Sequence, residues 1–174
     1  MARIRFSRLE DYELRLSRLA GRTEEIAGKA IYAGADIITN AIRANIEGLA
    51  AVDDRAGAIA YQKKAPAPLT RTAKQGLLDG LGITPMQDDG GYYNVKVGFD
   101  GYNDIPTRKY PNGQPNQLIA RSLESGSSIA QKHPFIRPAI NASRKAAEAK
   151  MAEVLDEEPL ARVIEGALDR TSGV

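Results

Sequence analysis

His133, the chain's one histidine, is the residue most suited to act as a general base. It precedes Pro134 in residues 132–146, KHPFIRPAINASRKA. A histidine base needs an oriented partner and a nucleophile or substrate proton within hydrogen-bond distance. The chain has no cysteine, and it has no Gly-x-Ser-x-Gly sequence that would present a nucleophilic serine. We therefore interpret His133 as a loop histidine, and a hydrolase using it is our third functional hypothesis.

Two other stretches resemble ligand-binding loops but do not have the required spacing. Residues 100–104, DGYND, hold two carboxylates, whereas a calcium loop needs alternating acidic ligands, a later glycine and a closing glutamate. Residues 76–82, GLLDGLG, match neither the dinucleotide-binding glycine pattern nor the phosphate-binding loop. We expect the first stretch to be a turn, and the glycines of the second to allow close backbone approach or to end a helix.

Basic side chains gather in two places, which raises the question of nucleic-acid binding. One is the pair Lys63 and Lys64, and the other is the first part of the chain, with Arg3, Arg5, Arg8, Arg15, Arg18 and Arg22. Acidic residues interrupt the arginines, a pattern typical of a solvated, salt-bridged helix face. The net charge of +2 is too small to indicate a nucleic-acid partner by itself. Nucleic-acid binding through the N-terminal arginines is the alternative hypothesis.

The composition excludes several function classes. With 43% hydrophobic and 26% charged residues, the chain has ordinary globular composition, and residues 1–174 are expected to form a single domain. Without cysteine there are no disulfides and no thiol catalysis, and one histidine excludes a multi-histidine metal site. We predict no cofactor, no catalytic site and no metal. No segment approaches a membrane span or a signal peptide, so we expect a protein made in a reducing cytoplasm.

The apolar pattern of the first third predicts helices after a short strand. Residues 2–6, ARIRF, alternate apolar and basic side chains, which indicates a strand. Ser7 begins a helix that Gly21 ends, and Thr23 begins a second helix that reaches about Leu49. We expect this second helix to pack on two adjoining faces. Its two apolar stripes are Ile26, Ala30, Ala33, Ile37, Ala41 and Ala44, and Ile31, Ile38, Ile42 and Leu49.

Residues 50–70 have no clean period, which predicts an exposed loop or flexible arm that becomes ordered on assembly. The segment contains the lysine pair and an Ala-Pro-Ala-Pro run. We take four of its residues as candidate partner contacts: Lys63, Lys64, Pro66 and Pro68.

The second half of the chain contains the predicted strands. Residues 83–87 form a strand that Pro85 restricts to an edge or a bulge, and residues 88–91 form a turn. A half-buried strand follows, with Tyr93, Val95, Val97 and Phe99 on its buried face.

Two further helices follow these strands. Asn116 is expected to cap a short helix that ends before Gly126, and Pro138 to lie in the first turn of a long helix that Pro159 ends. Residues 160–174 should hold a short last helix and a tail. The predicted fold class is α+β: a long N-terminal helix and a C-terminal helix packed on a small antiparallel sheet, with an extended loop or arm.

The two prolines that flank Phe135 restrict the backbone where the chain enters the last long helix. We expect Phe135 and Ile136 to lie against the buried face of the strand. We also expect Arg137 to pair with a nearby carboxylate, and Glu124 is the first candidate.

The order of these parts resembles the tail-completion, head–tail joining family of long-tailed bacteriophages, the minor tail or neck components of the lambda protein Z type. The resemblance covers roughly residues 23–155. The family's Thr-Gly-x-Leu-x-x-Ser signature is matched at Gly76 and Leu78, while Gln75 replaces its threonine and no hydroxyl residue stands at its serine position. The most specific matches are Glu124 and Gly126, and the run Pro134, Phe135, Ile136, Arg137 and Pro138.

The resemblance implies structural work without enzymatic activity. Such a protein completes the tail and joins it to the head, in contact with tail-tube or tail-terminator proteins and with head-closure proteins. It is expected to form a homo-oligomeric ring through which DNA passes without specific binding, and to have no membrane partner. Its location would be the head–tail interface of the virion, and the host cytoplasm during assembly. This virion role is our leading hypothesis.

Overall fold

The computed structural model describes residues 7–90, 92–128 and 130–157, without the side chains of residues 7–21 and of residue 61. This part of the chain forms α1 (Ser7–Gly48), α2 (Asp54–Gln62), α3 (Arg71–Gly80), β1 (Leu81–Ile83), β2 (Gln87–Asp88), β3 (Tyr93–Asn94), β4 (Val97–Phe99), α4 (Asn116–Ser125) and α5 (Ile136–Glu157). The predicted α+β class is confirmed, because α1 and α5 pack together beside a small antiparallel sheet. The strand predicted at 2–6 and the last helix predicted at 160–174 lie outside the described residues.

The first long helix is one continuous element of 42 residues, so the prediction that Gly21 ends a helix and Thr23 begins another is wrong. A glycine inside a helix costs about 1 kcal/mol relative to alanine. Good helix formers on both sides of Gly21 compensate for a cost of that size. At 1.5 Å per residue, α1 is about 63 Å long.

Helices α1 and α5 run antiparallel, and small side chains bring them close together. Asn45 contacts the main chain at Phe135, near the start of α5. Gly34, which comes earlier in α1, faces Met151, near the end of α5. A Cβ built on Gly34 would lie 2.7 Å from the Met151 side chain and 3.5 Å from the Ala147 carbonyl oxygen. The buried residues of α5 are small as well: Ala139, Ser143 and Ala147.

The four strands form one interrupted antiparallel hairpin. Leu81 pairs with Phe99 and Ile83 with Val97, and a second short ladder joins β2 to β3. The strand predicted at 83–87 is therefore not continuous, because the ladder is interrupted after Thr84, at Pro85. Proline cannot donate to the ladder. The Tyr32 hydroxyl of α1 supports the break by accepting the main-chain N–H of Met86 at 2.8 Å.

Residues 50–70 are not a structureless arm, and that prediction is wrong for residues 54–62, which form α2. The Asp53 side chain accepts the N–H of Arg55 at 2.9 Å, as a helix N-cap does. Hydrogen bonds of Val52 to Leu69 and of Arg71 to Val52 then tie the two ends of the segment together. The Thr72 hydroxyl also donates to the Asp54 carboxylate at 2.6 Å and lowers the pKa of Asp54.

The core lies where α1, α3, α4 and the start of α5 meet the sheet. Its members with the least exposure are Phe135, Ile46 and Leu77, each less than 2% exposed. Around them lie the other buried apolar residues of this cluster: Ile42, Leu69, Ala73, Leu81, Ala120, Leu123 and Ala139. The N-terminus of α5 therefore enters the molecule at the centre of its core.

Candidate functional site

The carboxylate of Glu124, near the end of α4, binds the N-terminus of α5. Its Oε2 atom accepts the main-chain N–H groups of Phe135 and Ile136, both at 2.8 Å. Its Oε1 atom accepts the N–H of Arg137 at 3.1 Å. The first N–H groups of a helix have no partner within the helix, and the helix dipole favours negative charge there. Glu124 thus acts as an N-cap supplied by a neighbouring helix.

Pro138 completes this arrangement, because it follows the three donors and has no N–H of its own. The residue before α5 and its first three residues therefore leave no donor unsatisfied. Pro138 lies in the first turn, as predicted. The two family-like runs, around Glu124 and around Phe135, form a single structural unit.

The predicted pairing of Arg137 with Glu124 occurs through different atoms from those expected. The main-chain N–H of Arg137 makes the hydrogen bond, and the side chain contributes its positive charge. Burial tends to raise the pKa of Glu124, but the three N–H donors and the Arg137 charge outweigh it and hold the pKa below its ordinary value. Glu124 is therefore ionised at neutral pH.

The ring, the carbonyl oxygen and the N–H group of Phe135 each contact a different element of the fold. Its ring meets that of Phe99 edge-on, with ring centroids 5.9 Å apart and an interplanar angle of 71°. Its carbonyl oxygen accepts the Asn45 side-chain amide of α1 at 2.9 Å. Together with the N–H bond to Glu124, these contacts join α1, β4 and α4 at one residue. The expected packing of Phe135 on the strand is confirmed for Phe99.

The linker between α4 and α5 is held to α4 by its main chain. Gly126 follows the end of α4, as predicted, and its φ of 74° with ψ of 160° is a backbone conformation that essentially only glycine adopts. The N–H of His133 then donates to the Leu123 carbonyl oxygen at 2.8 Å. The imidazole itself has no recorded hydrogen bond to the described residues.

The outer side of the motif faces solvent. Pro134, Arg137 and Pro138 are exposed, and Ile136 is half-buried. Beside them lies an open cleft of about 270 Å³ between α4, β4 and the start of α5. Its walls include Ile42, Phe99, Ala120, Arg121, Glu124 and Ile136. Buried and exposed parts of one motif thus meet at this cleft.

The glycine-rich stretch GLLDGLG has the role predicted for it, close backbone approach. A Cβ on Gly80 would lie 2.2 Å from the Asp100 carbonyl oxygen, and a Cβ on Gly76 would lie 2.8 Å from Asn116 Oδ1. Residues 100–104, DGYND, form an irregular bend without the expected hydrogen-bonded turn. Asp100 Oδ1 accepts the N–H of Gly101 there at 2.7 Å.

Asn116 does not cap α4, and that prediction is wrong. The residue is the first of α4, and Pro115 occupies the cap position without a side-chain hydrogen bond. The Asn116 amide instead donates to the Asp100 carbonyl oxygen at 2.8 Å and closes the loop between β4 and α4. Asn103 lies in the same loop, and its Oδ1 atom accepts the N–H groups of Ile105 and Gln114. Sequence reasoning missed this pair of buried asparagines.

The four candidate partner contacts of the 50–70 segment do not join the motif site. Lys63, Lys64 and Pro66 are exposed, and Pro68 is half-buried. Lys64 adopts a left-handed conformation, with φ of 51°, and the N–H of the next residue closes the end of α2 on Ala60. Their exposure does not show whether they bind a partner, so the partner-binding role of these four residues stays a prediction.

Within residues 7–90, 92–128 and 130–157, no group of three potential metal ligands comes together. In the same part of the chain, no helix has the length and apolarity needed to cross a membrane.

Comparison with known proteins gave no match: neither a family model, nor a curated protein, nor a solved structure is significantly similar to this chain. The resemblance to the phage family therefore rests on the sequence runs described above and stays a prediction.

We expect Glu124→Gln to lower the free energy of unfolding by about 2 kcal/mol, because hydrogen bonds to a charged group contribute about 1.5–3 kcal/mol. Urea denaturation would measure it. The difference between wild type and variant should shrink as the pH falls below about 4.5, the ordinary pKa of this carboxyl. A depressed pKa means that the stabilisation is complete above that value and is lost as the folded protein takes up the proton.

The matched control is Glu148→Gln, on the exposed side of α5. It removes the same charge without a hydrogen-bonded partner and should change stability by less than about 0.5 kcal/mol. Equal effects of the two substitutions would contradict the capping role of Glu124.

Proposed function

We propose that this protein is a structural component of a tailed-phage virion, which completes the tail and joins it to the head. The observation that carries the proposal is the unit formed by the two motif runs. Glu124 accepts three N–H groups of the Pro-Phe-Ile-Arg-Pro run, and Phe135 then anchors that run in the core. The most family-like residues of the chain therefore have a shared structural purpose.

The surface also supports a protein that works by contact with neighbours. Several large apolar side chains are exposed: Tyr32, Ile59, Tyr92, Tyr102, Leu118 and Leu155. Single exposed apolar side chains are usual on protein surfaces, and in an assembly a neighbour can bury them. We propose tail-tube or tail-terminator proteins and head-closure proteins as the neighbours, at the head–tail interface of the virion.

Loss of the protein during infection tests the proposal directly. We expect filled heads and completed but separate tails to accumulate, as seen by electron microscopy. Adding the purified protein to the mixture should join them and restore infectivity. Normal infectious particles formed without the protein would overturn the proposal.

Nucleic-acid binding through the N-terminal arginines is the alternative, and it is tested by a separate measurement. An electrostatic complex weakens steeply with salt, with a slope that reports the number of phosphates contacted. Fluorescence anisotropy with duplex DNA at increasing salt would give that slope. Under the virion proposal we expect no measurable affinity at physiological salt.

A further inference from the structure

The outer edge of β4 carries main-chain groups without a partner among the described residues. In the hairpin, Asp100 bonds to Gly80 and Thr84 bonds to Lys96, each at 2.8 Å. Main-chain groups along an antiparallel strand point alternately inward and outward, so those of Val97 and Phe99 point away from β1. Among the described residues, no hydrogen bond to these outward groups is recorded. A free edge of this kind can pair with a further strand.

The free edge borders the cleft described above, and the cleft has an apolar floor. Ile42, Ala120 and Ile136 lie there beside the Phe99 side chain. On the opposite face of β4, a Cβ at Gly98 would meet no atom within 4 Å. A strand laid along β4 would therefore need apolar side chains on one face and could carry charged ones on the other.

Residues 2–6 have this pattern. Ala2, Ile4 and Phe6 alternate with Arg3 and Arg5, and successive side chains of a strand point to opposite faces. Beside β4, the apolar set would extend the half-buried face that Val97 and Phe99 form. The two arginines would then lie on the exposed face, next to Lys96 and Gly98.

The geometry of α1 prevents these residues from reaching their own cleft. Residue 6 directly precedes α1, and the α1 residue in the cleft is Ile42. The 35 residues between Ser7 and Ile42 span about 52 Å of helix, whereas five extended residues reach at most about 18 Å. A strand at the β4 edge that comes from residues 2–6 must come from another molecule.

We infer that residues 2–6 of one copy of this chain add a strand to the β4 edge of a second copy, over the cleft between α4, β4 and α5. The donated segment and the receiving edge are different surfaces. Each copy can therefore donate to one neighbour and receive from another, which generates rings or filaments. Two copies can also exchange their segments reciprocally and form a closed dimer. The inference does not depend on the proposed phage function. Self-association of the purified protein tests the inference, whereas particle assembly tests the proposed function.

A mixing experiment with two complementary variants tests the donor and the acceptor separately. The first variant lacks residues 2–6. The second, Val97→Pro, loses only an outward N–H of β4, since the hairpin bonds of Gly98 and Lys96 remain. By sedimentation velocity, the wild type should form dimers or larger species. Each variant alone should be monomeric, and their equimolar mixture should give dimers and nothing larger.

Amide hydrogen exchange gives a second readout, which decides the matter if Val97→Pro fails to fold. In the wild type at high concentration, the N–H groups of Val97 and Phe99 should be protected at least about tenfold more than in the variant lacking residues 2–6. Protection of Gly82 and Gly98, which pair inside the hairpin, should be the same in both. This comparison uses only proteins with an intact hairpin.

Three results would overturn the inference. They are a wild type that stays monomeric at its highest soluble concentration, self-association that survives removal of residues 2–6, and an association that is lost instead on removing residues 158–174. The last result would assign the free edge to the other end of the chain.

Discussion

Replacing Phe135 by alanine is expected to lower the free energy of unfolding by about 3–5 kcal/mol, the usual cost of removing a buried phenylalanine ring. The side chain is 1% exposed, and its ring contacts that of Phe99. The cavity would open where α1, β4 and α4 meet, so the neighbouring helices have little room to close it. Guanidinium or urea denaturation would measure the loss.

Two variants control for this prediction. Tyr92→Ala removes an aromatic ring that is 81% exposed, and it should change stability by less than about 0.5 kcal/mol. Phe135→Leu keeps most of the buried volume and should cost less than the alanine variant. A loss below about 1 kcal/mol for Phe135→Ala would show that the ring does not support the core.

Gly80→Ala is expected to cost more than about 3 kcal/mol or to prevent folding. Its Cβ would lie 2.2 Å from the Asp100 carbonyl oxygen, and the neighbouring Asn116 amide is 2.8 Å away. The clash is with main chain, at a point where the Asp100 N–H donates to the Gly80 carbonyl oxygen. Relief would require the hairpin to separate from α3, because rigid cores transmit such strain.

Gly82→Ala is the matched control, two residues further along the same stretch. A Cβ there meets no atom within 4 Å, so we expect a stability change of less than about 1 kcal/mol. Thermal unfolding of the two variants side by side gives the comparison. Similar melting temperatures for both would show that the close approach of Gly80 to β4 is not needed.

The parts of the fold that could be predicted are those whose signals are local. The alternation of Tyr93, Val95, Val97 and Phe99 indicated a half-buried strand, and the structure leaves all four half-buried. Pro85 indicated a departure from a regular strand, and Pro138 indicated the first turn of α5. In each case one residue type or one hydrophobic period predicts the local structure, and contacts with distant residues do not change that structure.

The parts that were missed depend on contacts made at a distance. The Asn116 side chain bonds to Asp100, sixteen residues earlier, instead of to the helix that it begins. Ile46 lies on neither predicted stripe of α1 but is fully buried, because α1 is covered on more than one side. Asp53 did give a local signal for α2, as an N-cap, and the prolines that follow the helix obscured it.

For the candidate site, the residues could be predicted but not the atoms that join them. The sequence indicated that Glu124 and Arg137 are neighbours, on the basis of their opposite charges. In the structure the carboxylate accepts main-chain N–H groups, which every residue except proline has and which no side-chain pattern reveals. A short acidic helix end followed by a proline-flanked aromatic residue is the signal that could have indicated it.

The pairing of α1 with α5 has a consequence for how the chain folds during synthesis. The contact between Asn45 and Phe135 spans 90 residues, so the ribosome releases α1 long before its partner helix exists. By contrast, Glu124 reaches the start of α5 across only 11 to 13 residues. The apolar face of α1 that packs on α5 therefore stays exposed until α5 has been synthesised. Exposed apolar surface of this kind is what chaperones bind and what leads to aggregation. Once α5 emerges, its start is captured at once by α4, and the long-range pairing with α1 becomes the slow step.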